Sequence, residues 1–131
     1  MDCVTYLTAR VYGNRQKEFG VMSALLEVSD LAIRFQRDGG VSRAVNGVSF
    51  GVGEGESLGI VGESGSGKSV SVKAIMRLLP KHAKITEGMI SFSGLNVLQL
   101  SSGGIRNLRG RRIAMIFQDP HAYLNPTKTI G

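Results

Sequence analysis

Apolar and polar residues alternate in short stretches from Leu25 onward. The segment LLEVSDLAIRF (25–35) contains two apolar stretches separated by Ser29 and Asp30, and AVNGVSFGV (44–52) contains another. The intervening QRDGG has the aspartate and glycines typical of a turn. Two alternating stretches joined by such a turn predict an antiparallel β-hairpin.

A continuous apolar run and a helical pattern flank the glycine-rich centre of the chain. SLGIV (57–61) is short and uniformly apolar, which predicts a strand buried on both faces. After the glycines, apolar residues recur at spacings of three and four, which predicts an amphipathic helix packed on a sheet. Pro80 is expected to end this helix, because the residue before a proline is driven out of helical geometry. The apolar positions are Val72, Ile75, Met76 and Leu79, and Lys73 and Arg77 share the opposite face.

The last third of the chain has a less regular pattern. EGMISFSGLNVL (87–98) alternates like a strand, whereas LSSGGIRNLRGRR (100–112) predicts either a short, poorly favoured helix or a loop. Each of its paired glycines costs a helix about 1 kcal/mol relative to alanine. RIAMIF (112–117) predicts a second buried strand, and residues 118–131 have the two prolines and polar composition of a loop.

The composition adds the domain organisation. A chain of 131 residues that is 42% hydrophobic is large enough for one domain with a core, and its longest apolar run is far too short for a membrane span. Residues 1–23 lack periodicity and contain a second possible start, Met22, so they are predicted to be a flexible or spurious extension, or else a partner-binding arm. Residues 24–131 are predicted to form the domain. The single cysteine, Cys3, fits a reducing compartment.

The strongest chemical signal is GESGSGKS (62–69), which satisfies G-x-x-x-x-G-K-[ST] between a predicted strand and a predicted helix. Glycines allow successive backbone N–H groups to face inward, and a helix start adds its positive end to an anion site. Lys68 supplies a charge to the β- and γ-phosphates, and Ser69 supplies a hydroxyl to Mg²⁺. The alternative is a glycine-rich turn with a solvated lysine. The predicted nucleotide-binding residues are Gly62, Glu63, Ser64, Gly65, Ser66, Gly67, Lys68, Ser69 and Val70.

Hydrolysis by such a site also needs an acidic residue after a buried strand to hold Mg²⁺. The carboxylates that follow Lys68 are Glu87, which opens a predicted strand, and Asp119. Asp119 follows the apolar run 113–117, but Gln118 occupies the place where the acid is expected. Asp119 therefore remains only an alternative metal ligand.

Three segments of the sequence together match the pattern of a known protein family. The stretch from Gly59 to Leu79, the later RRIAMIFQDP and the final LNPTKTIG closely resemble the ATP-binding subunit of ABC transporters, in the oligopeptide, dipeptide and nickel importer branch. The resemblance covers residues 25–131. It implies an α/β fold: a P-loop ATPase core with an N-terminal antiparallel β-subdomain, truncated before the signature helix and the Walker B strand.

The resemblance also implies roles outside the loop. Gln118 would reach Mg²⁺ and the attacking water, so that Lys68 and Gln118 are the expected catalytic residues and Ser69 and Gln118 the expected metal ligands. Phe35 would stack on adenine. The alternatives are a polar strand-end residue for Gln118 and a core or edge residue for Phe35.

The implied setting is that of an importer. ATP and Mg²⁺ are the expected cofactors, and the expected partners are membrane-spanning permease subunits, a second ATP-binding subunit in a homo- or heterodimer and, indirectly, a solute-binding protein. The implied location is peripheral, on the cytoplasmic face of the membrane, and the implied transport is of peptides or a related small solute.

The resemblance implies that several parts of the family's catalytic machinery lie beyond residue 131. The family's signature helix, acidic strand, catalytic glutamate and switch histidine come later, and His82 and His121 are misplaced for the switch. LSSGG (100–104) precedes Gln118, so its similarity to the signature LSGGQ is interpreted as coincidental. We therefore expect the full-length protein to be an ATPase that couples ATP binding and hydrolysis to uptake, and this chain alone to bind ATP without turnover. The alternative function is a non-catalytic nucleotide-binding module or degenerate remnant.

The net charge of +6 and a cluster of arginines raise the question of nucleic acid. No aromatic residues are interleaved with these arginines for base stacking, so a solvated face is preferred and no nucleic-acid partner is predicted. The cluster comprises Arg106, Arg109, Arg111 and Arg112.

Overall fold

The computed structural model describes Thr5–Tyr6 and residues 24–117. The predictions for Gln118, Asp119, His121 and the final loop lie outside the described residues. The elements in chain order are β1 (Thr5–Tyr6), β2 (Leu26–Arg37), β3 (Gly40–Val52), β4 (Gly59–Ile60), α1 (Lys68–Ile75), β5 (Ala83–Phe92), β6 (Leu95–Asn96), a 3₁₀ helix (Val97–Gln99) and α2 (Ser102–Leu108).

The main sheet is antiparallel, with strand order β3-β2-β5-β6. The predicted hairpin is confirmed as β2 and β3. Ser29 and Asp30 do not divide the first strand; they form an irregularity at which the pairing register shifts and Asp30 adopts a positive φ of 48°. Gly88 of β5 packs against this irregularity, and a Cβ on Gly88 would come within 2.6 Å of the Ser29 carbonyl oxygen. A side chain at position 88 would therefore separate the two strands.

The core lies on one face of this sheet. Alternation along β2 and β5 directs apolar side chains to that face, and α1, the 3₁₀ helix and α2 cover it. Its fully buried members include Val28, Leu31, Ile33, Ile90 and Val97. Ala74 and Ile75 of α1 and Ile105 and Leu108 of α2 join the same cluster. The alternation predicted from the sequence at the end of β5 is confirmed, because Ile90 and Phe92 are buried and Met89 and Ser91 are more exposed.

Helix α1 ends earlier than its sequence predicts. The last helical residue is Ile75, so Pro80 does not end the helix. Arg77 adopts a left-handed conformation with φ 51°, its N–H donates to the Ala74 carbonyl at 2.9 Å, and the Leu78 N–H donates to the Lys73 carbonyl at 2.8 Å. This pair of bonds is a Schellman motif, which closes a helix locally without a proline.

The segment predicted as one strand over 87–98 is instead divided among β5, β6 and the 3₁₀ helix. β5 begins earlier, at Ala83, and turns at Ser93 and Gly94 into β6. The glycine-rich segment that follows forms helix α2 and not a loop. Its start is capped by the Ser101 hydroxyl, which accepts from the Gly104 N–H at 3.2 Å, so the serines of LSSGG serve as a helix start.

Two predicted buried strands are not formed as expected. Within 57–61 only Gly59–Ile60 is a strand, and Val61 is 92% exposed. Among the described residues β4 pairs only with β1, in the register Thr5↔Ile60 and Tyr6↔Gly59. Residues 114–117 have no regular structure and Ile116 is 91% exposed. A strand is buried on both faces only when neighbouring strands and helices cover it, and the described residues supply no such cover here.

No helix in the described part of the chain has the length and apolar character needed to cross a membrane.

Candidate functional site

The glycine-rich loop lies at the surface between β4 and α1. Residues 62–66 are exposed, and the loop turns where the Ser66 N–H donates to the Glu63 carbonyl at 3.2 Å. Ser64 and Gly65 form the tip of this turn. Helix α1 begins at Lys68, directly after the loop, as the motif requires.

Gly67 joins the loop to the hairpin. It has φ 89°, and a Cβ at this position would lie 2.4 Å from the Ala44 carbonyl oxygen. Val45 pairs with Ile33 and Arg43 with Arg34, so Ala44 is left without a partner and forms a bulge. The loop therefore rests against a bulge in β3, and only glycine can make this approach.

The start of α1 carries an uncompensated positive end. Gly67 offers no side-chain cap, and no acidic residue lies in the first turn. Helix starts usually gain a Ser, Thr, Asp or Asn side chain that accepts from the first N–H groups. A helix start without such a side chain attracts an anion through its dipole and its backbone donors.

Lys68 is turned into the loop. Its ammonium donates to the Gly62 carbonyl, to the Glu63 carbonyl at 2.5 Å and to the Ser66 hydroxyl at 3.1 Å. The residue is only 8% exposed, and no carboxylate of the described residues forms an ion pair with it. The interpretation of Lys68 as a solvated surface lysine is therefore wrong. Oxygen dipoles hold this buried charge, and within residues 24–117 no carboxylate neutralises it.

Ser69 and Val70 occupy the first turn of α1 and are both half-buried. A serine hydroxyl next to a phosphate site is a hard oxygen donor, and Mg²⁺ prefers such donors together with substrate phosphates and water. The residues present therefore fit Mg²⁺. Gln118, the other predicted metal ligand, lies outside the described residues.

Phe35 lies near the carboxyl end of β2, half-buried, and packs against the edge of the core. It pairs with Ser42 of β3 and Ala83 of β5. Ile33, two residues earlier, pairs with Val45, whose side chain lies against Gly67. Residues two apart share one face of a strand, so Phe35 lies on the loop side of the sheet, about 7 Å further along. The ring of His82 lies 5.4 Å from the Phe35 ring.

The arginine cluster is partly structural. Arg109 donates from Nε to the Met76 carbonyl and from Nη2 to the Arg77 carbonyl, both at 2.8 Å. It thus binds the carbonyls of the two residues that follow α1, at the helix end where the dipole favours a cation. The Arg112 guanidinium lies 5.3 Å from the centre of the Phe92 ring and donates to Ser93 Oγ at 3.1 Å. Arg109 is thus a structural residue, whereas Arg112 remains exposed to solvent, as predicted for the cluster.

Sequence reasoning missed both Ala44 and Arg109. Ala44 contributes only a carbonyl at a bulge, which no side-chain pattern reveals. Arg109 contacts residues more than thirty positions away, so only the packing of α2 beside α1 identifies its role. The loop residues, by contrast, are contiguous and were found from the motif alone.

Comparison with known proteins identifies the family. The ABC transporter family model matches residues 45–131. A probable peptide ABC transporter ATP-binding protein, y4tR of Sinorhizobium fredii, is 54% identical over 108 residues, which are 82% of this chain and 32% of that protein. The oligopeptide transport ATP-binding protein OppD of Bacillus subtilis is 50% identical over 111 residues, 84% of this chain and 31% of that protein.

The dipeptide transport ATP-binding protein DppD of Bacillus subtilis is 49% identical over 111 residues, 84% of this chain and 33% of that protein. The chain thus spans about a third of the length of the curated relatives it matches. The matched region contains the loop, α1 and every later element. With the phosphate loop between strand and helix and the antiparallel sheet beside it, the chain belongs to the ABC transporter family, as part of an ATP-binding domain.

Proposed function

We propose that the chain binds the triphosphate of ATP in the loop 62–70, as part of the ATP-binding subunit of a peptide importer. The observation that carries this proposal is the state of Lys68. A buried ammonium that is held by loop oxygens and has no carboxylate partner among the described residues, beside a helix start without a side-chain cap, favours binding of an anion. Polyphosphate supplies the missing negative charge.

The proposed metal ligands and base-stacking residue would lie around this phosphate site. Ser69 and Gln118 would hold Mg²⁺, which when bound neutralises charge on the β- and γ-phosphates. Lys68 would transfer its hydrogen bonds from the loop carbonyls to phosphate oxygens. Phe35 would stack on adenine, since it lies on the same face of the hairpin as the contact between Val45 and Gly67.

The wider role rests on the relatives. The printed names of the matched proteins describe peptide, oligopeptide and dipeptide transport. We therefore propose that the whole protein drives uptake of peptides or a related solute. It would bind permease subunits and a second ATP-binding subunit at the cytoplasmic face of the membrane, and a solute-binding protein would act with it indirectly.

Turnover is not expected of the 131-residue chain alone. The resemblance places the acidic strand, the catalytic glutamate and the switch histidine after the matched segment, so binding without hydrolysis is the proposed property. Phosphate release measured with Mg·ATP should stay at the background rate. Turnover that Asp119→Asn abolishes would show instead that Asp119 serves as the metal carboxylate of a compact ATPase.

The phosphate site is tested by calorimetry on the full chain with Mg·ATP. Lys68→Ala removes the charge that faces the phosphates, and we expect at least about 2 kcal/mol of lost binding, or roughly thirtyfold weaker affinity. Lys73→Ala is the matched control, since it removes an equal charge from the last turn of the same helix. Equal ATP affinity in the Lys68→Ala variant and the unmodified chain would refute the site.

The base site has its own test. If Phe35 stacks on adenine, Phe35→Ala should weaken ATP binding by about 1–3 kcal/mol. The affinity for inorganic tripolyphosphate, which has no base, should stay unchanged. A variant that loses both ligands equally would assign Phe35 to the core and not to the nucleotide.

A further inference from the structure

His82 stands beside the proposed base-stacking residue. Its ring centre lies 5.4 Å from that of Phe35, with the two ring planes inclined at 51°. Tilted pairs at this separation belong to the favourable arrangements of aromatic rings. His82 is exposed and Phe35 is half-buried, so the pair lies at the surface end of β2 and not in the core.

The backbone fixes His82 in this position. Its carbonyl accepts from the Gln36 N–H at 2.8 Å, which ties it to the residue after Phe35. The Ala83 N–H donates to the Pro80 carbonyl at 2.9 Å and closes the turn in which His82 lies. Ala83 then pairs directly with Phe35 in the sheet. Backbone hydrogen bonds therefore hold the chain beside Phe35 and beside His82.

The core holds Phe35 on one side only, because the residue is half-buried, and a ligand that stacks on the ring must fix it in one orientation. Immobilising one such side chain costs binding energy, and a neighbour that holds the ring before the ligand arrives removes this cost. The His82 ring lies against Phe35 and limits the rotation of its side chain. The plane of the His82 ring is inclined at 51° to that of the Phe35 ring, so the two rings are not stacked face to face.

We propose that His82 is a positioning residue that holds the ring of Phe35 ready to stack on the nucleobase of bound ATP. This inference rests on the proposed function, in which Phe35 contacts the base. His82 acts through Phe35 alone. It therefore affects the ligand's base and leaves the triphosphate site untouched.

The experiment compares ATP with inorganic tripolyphosphate by calorimetry on the full chain. His82→Ala should weaken ATP binding about three- to tenfold, the range expected for loss of one aromatic contact. Tripolyphosphate affinity should stay unchanged. His82→Phe keeps a ring beside Phe35 and should restore ATP affinity to within about twofold of the unmodified chain. Lys81→Ala, in the same turn, is the control and should alter both ligands by one common factor, if at all.

A double-mutant cycle separates positioning from direct contact. In the Phe35→Ala background, His82→Ala should have no further effect on ATP affinity, because no ring remains to be held. An undiminished effect there would overturn the proposal in favour of direct contact with the ligand. Equal loss of ATP and tripolyphosphate binding, failure of His82→Phe to restore affinity, or full ATP affinity in His82→Ala would each overturn it too.

These outcomes differ from failure of the proposed function. If ATP does not bind, or binds equally well without Lys68, the nucleotide site itself is wrong. If Lys68→Ala and Phe35→Ala weaken ATP binding and His82→Ala does not, the nucleotide site stands and only the role of His82 fails.

Discussion

Replacing Gly67 by alanine tests whether the contact between the loop and the hairpin matters to stability. Two costs are expected. A non-glycine residue in the left-handed region costs about 1–2 kcal/mol. In addition, the new Cβ would lie 2.4 Å from the Ala44 carbonyl oxygen, a contact with backbone that has no flexible end to move aside. Overpacking of this kind costs typically about 1–3 kcal/mol.

Gly65 provides the matched control. It has a similar left-handed φ of 80°, but a Cβ there would meet nothing within 4 Å. Gly65→Ala should therefore lose only the conformational part, about 1–2 kcal/mol, and Gly67→Ala should lose a further 1–3 kcal/mol. The difference between the two variants isolates the approach to Ala44.

The measurement is the free energy of unfolding from urea denaturation of both variants and the unmodified chain. For a small domain with a denaturant slope of about 1–3 kcal/mol per molar, an extra 2 kcal/mol lowers the midpoint by roughly 1 M. Gly67→Ala should also weaken ATP binding, because relief of the contact moves the start of α1 away from β3. If the two variants unfold at the same midpoint, the contact with Ala44 contributes nothing and the explanation of Gly67 is refuted.

Two further substitutions test the helix ends. Arg109→Gln removes charged hydrogen bonds to the Met76 and Arg77 carbonyls and should destabilise the chain by about 1–2 kcal/mol in thermal unfolding; Arg106→Gln, on the exposed side of α2, should change stability by less than about 0.5 kcal/mol. Equal effects of the two would remove the assigned role of Arg109. Ser101→Ala removes the cap of α2 and should cost about 1 kcal/mol, whereas Ser101→Asp should retain most of it; a neutral alanine variant would contradict the capping bond.

The parts of the fold that the sequence predicts are those governed by local rules. The hairpin follows from period-two alternation on both sides of a turn, and the loop from a motif whose residues are contiguous. The end of α1 shows the limit of such rules. Arg77 occupies the left-handed position that usually takes glycine, so the local signal for a helix end is missing and Pro80 is a misleading marker.

Burial predictions failed for a different reason. The apolar runs at 57–61 and 112–117 predict strands covered on both faces. An apolar run indicates that a segment is stable as a strand when it is buried, but it does not show which elements would bury it. Whether neighbouring strands are present is a property of the whole sheet. Val61 and Ile116 are exposed because, among the described residues, no strand or helix lies over them.

The two proposed halves of the nucleotide site share one support. Gly67 packs on the bulge at Ala44, and Phe35 stands on the adjacent strand of the same hairpin, on the same face. The phosphate loop and the base-stacking ring are therefore positioned relative to each other by a few residues of β2 and β3, and not only by the connection that runs from β3 through β4 to the loop. Hydrogen-bonded antiparallel strands keep such a separation constant, because their register changes only in steps that move every side chain to the opposite face. Such a fixed frame favours a ligand whose base and triphosphate are bound together, since the hairpin sets their separation before the ligand binds and no ordering of the frame opposes binding.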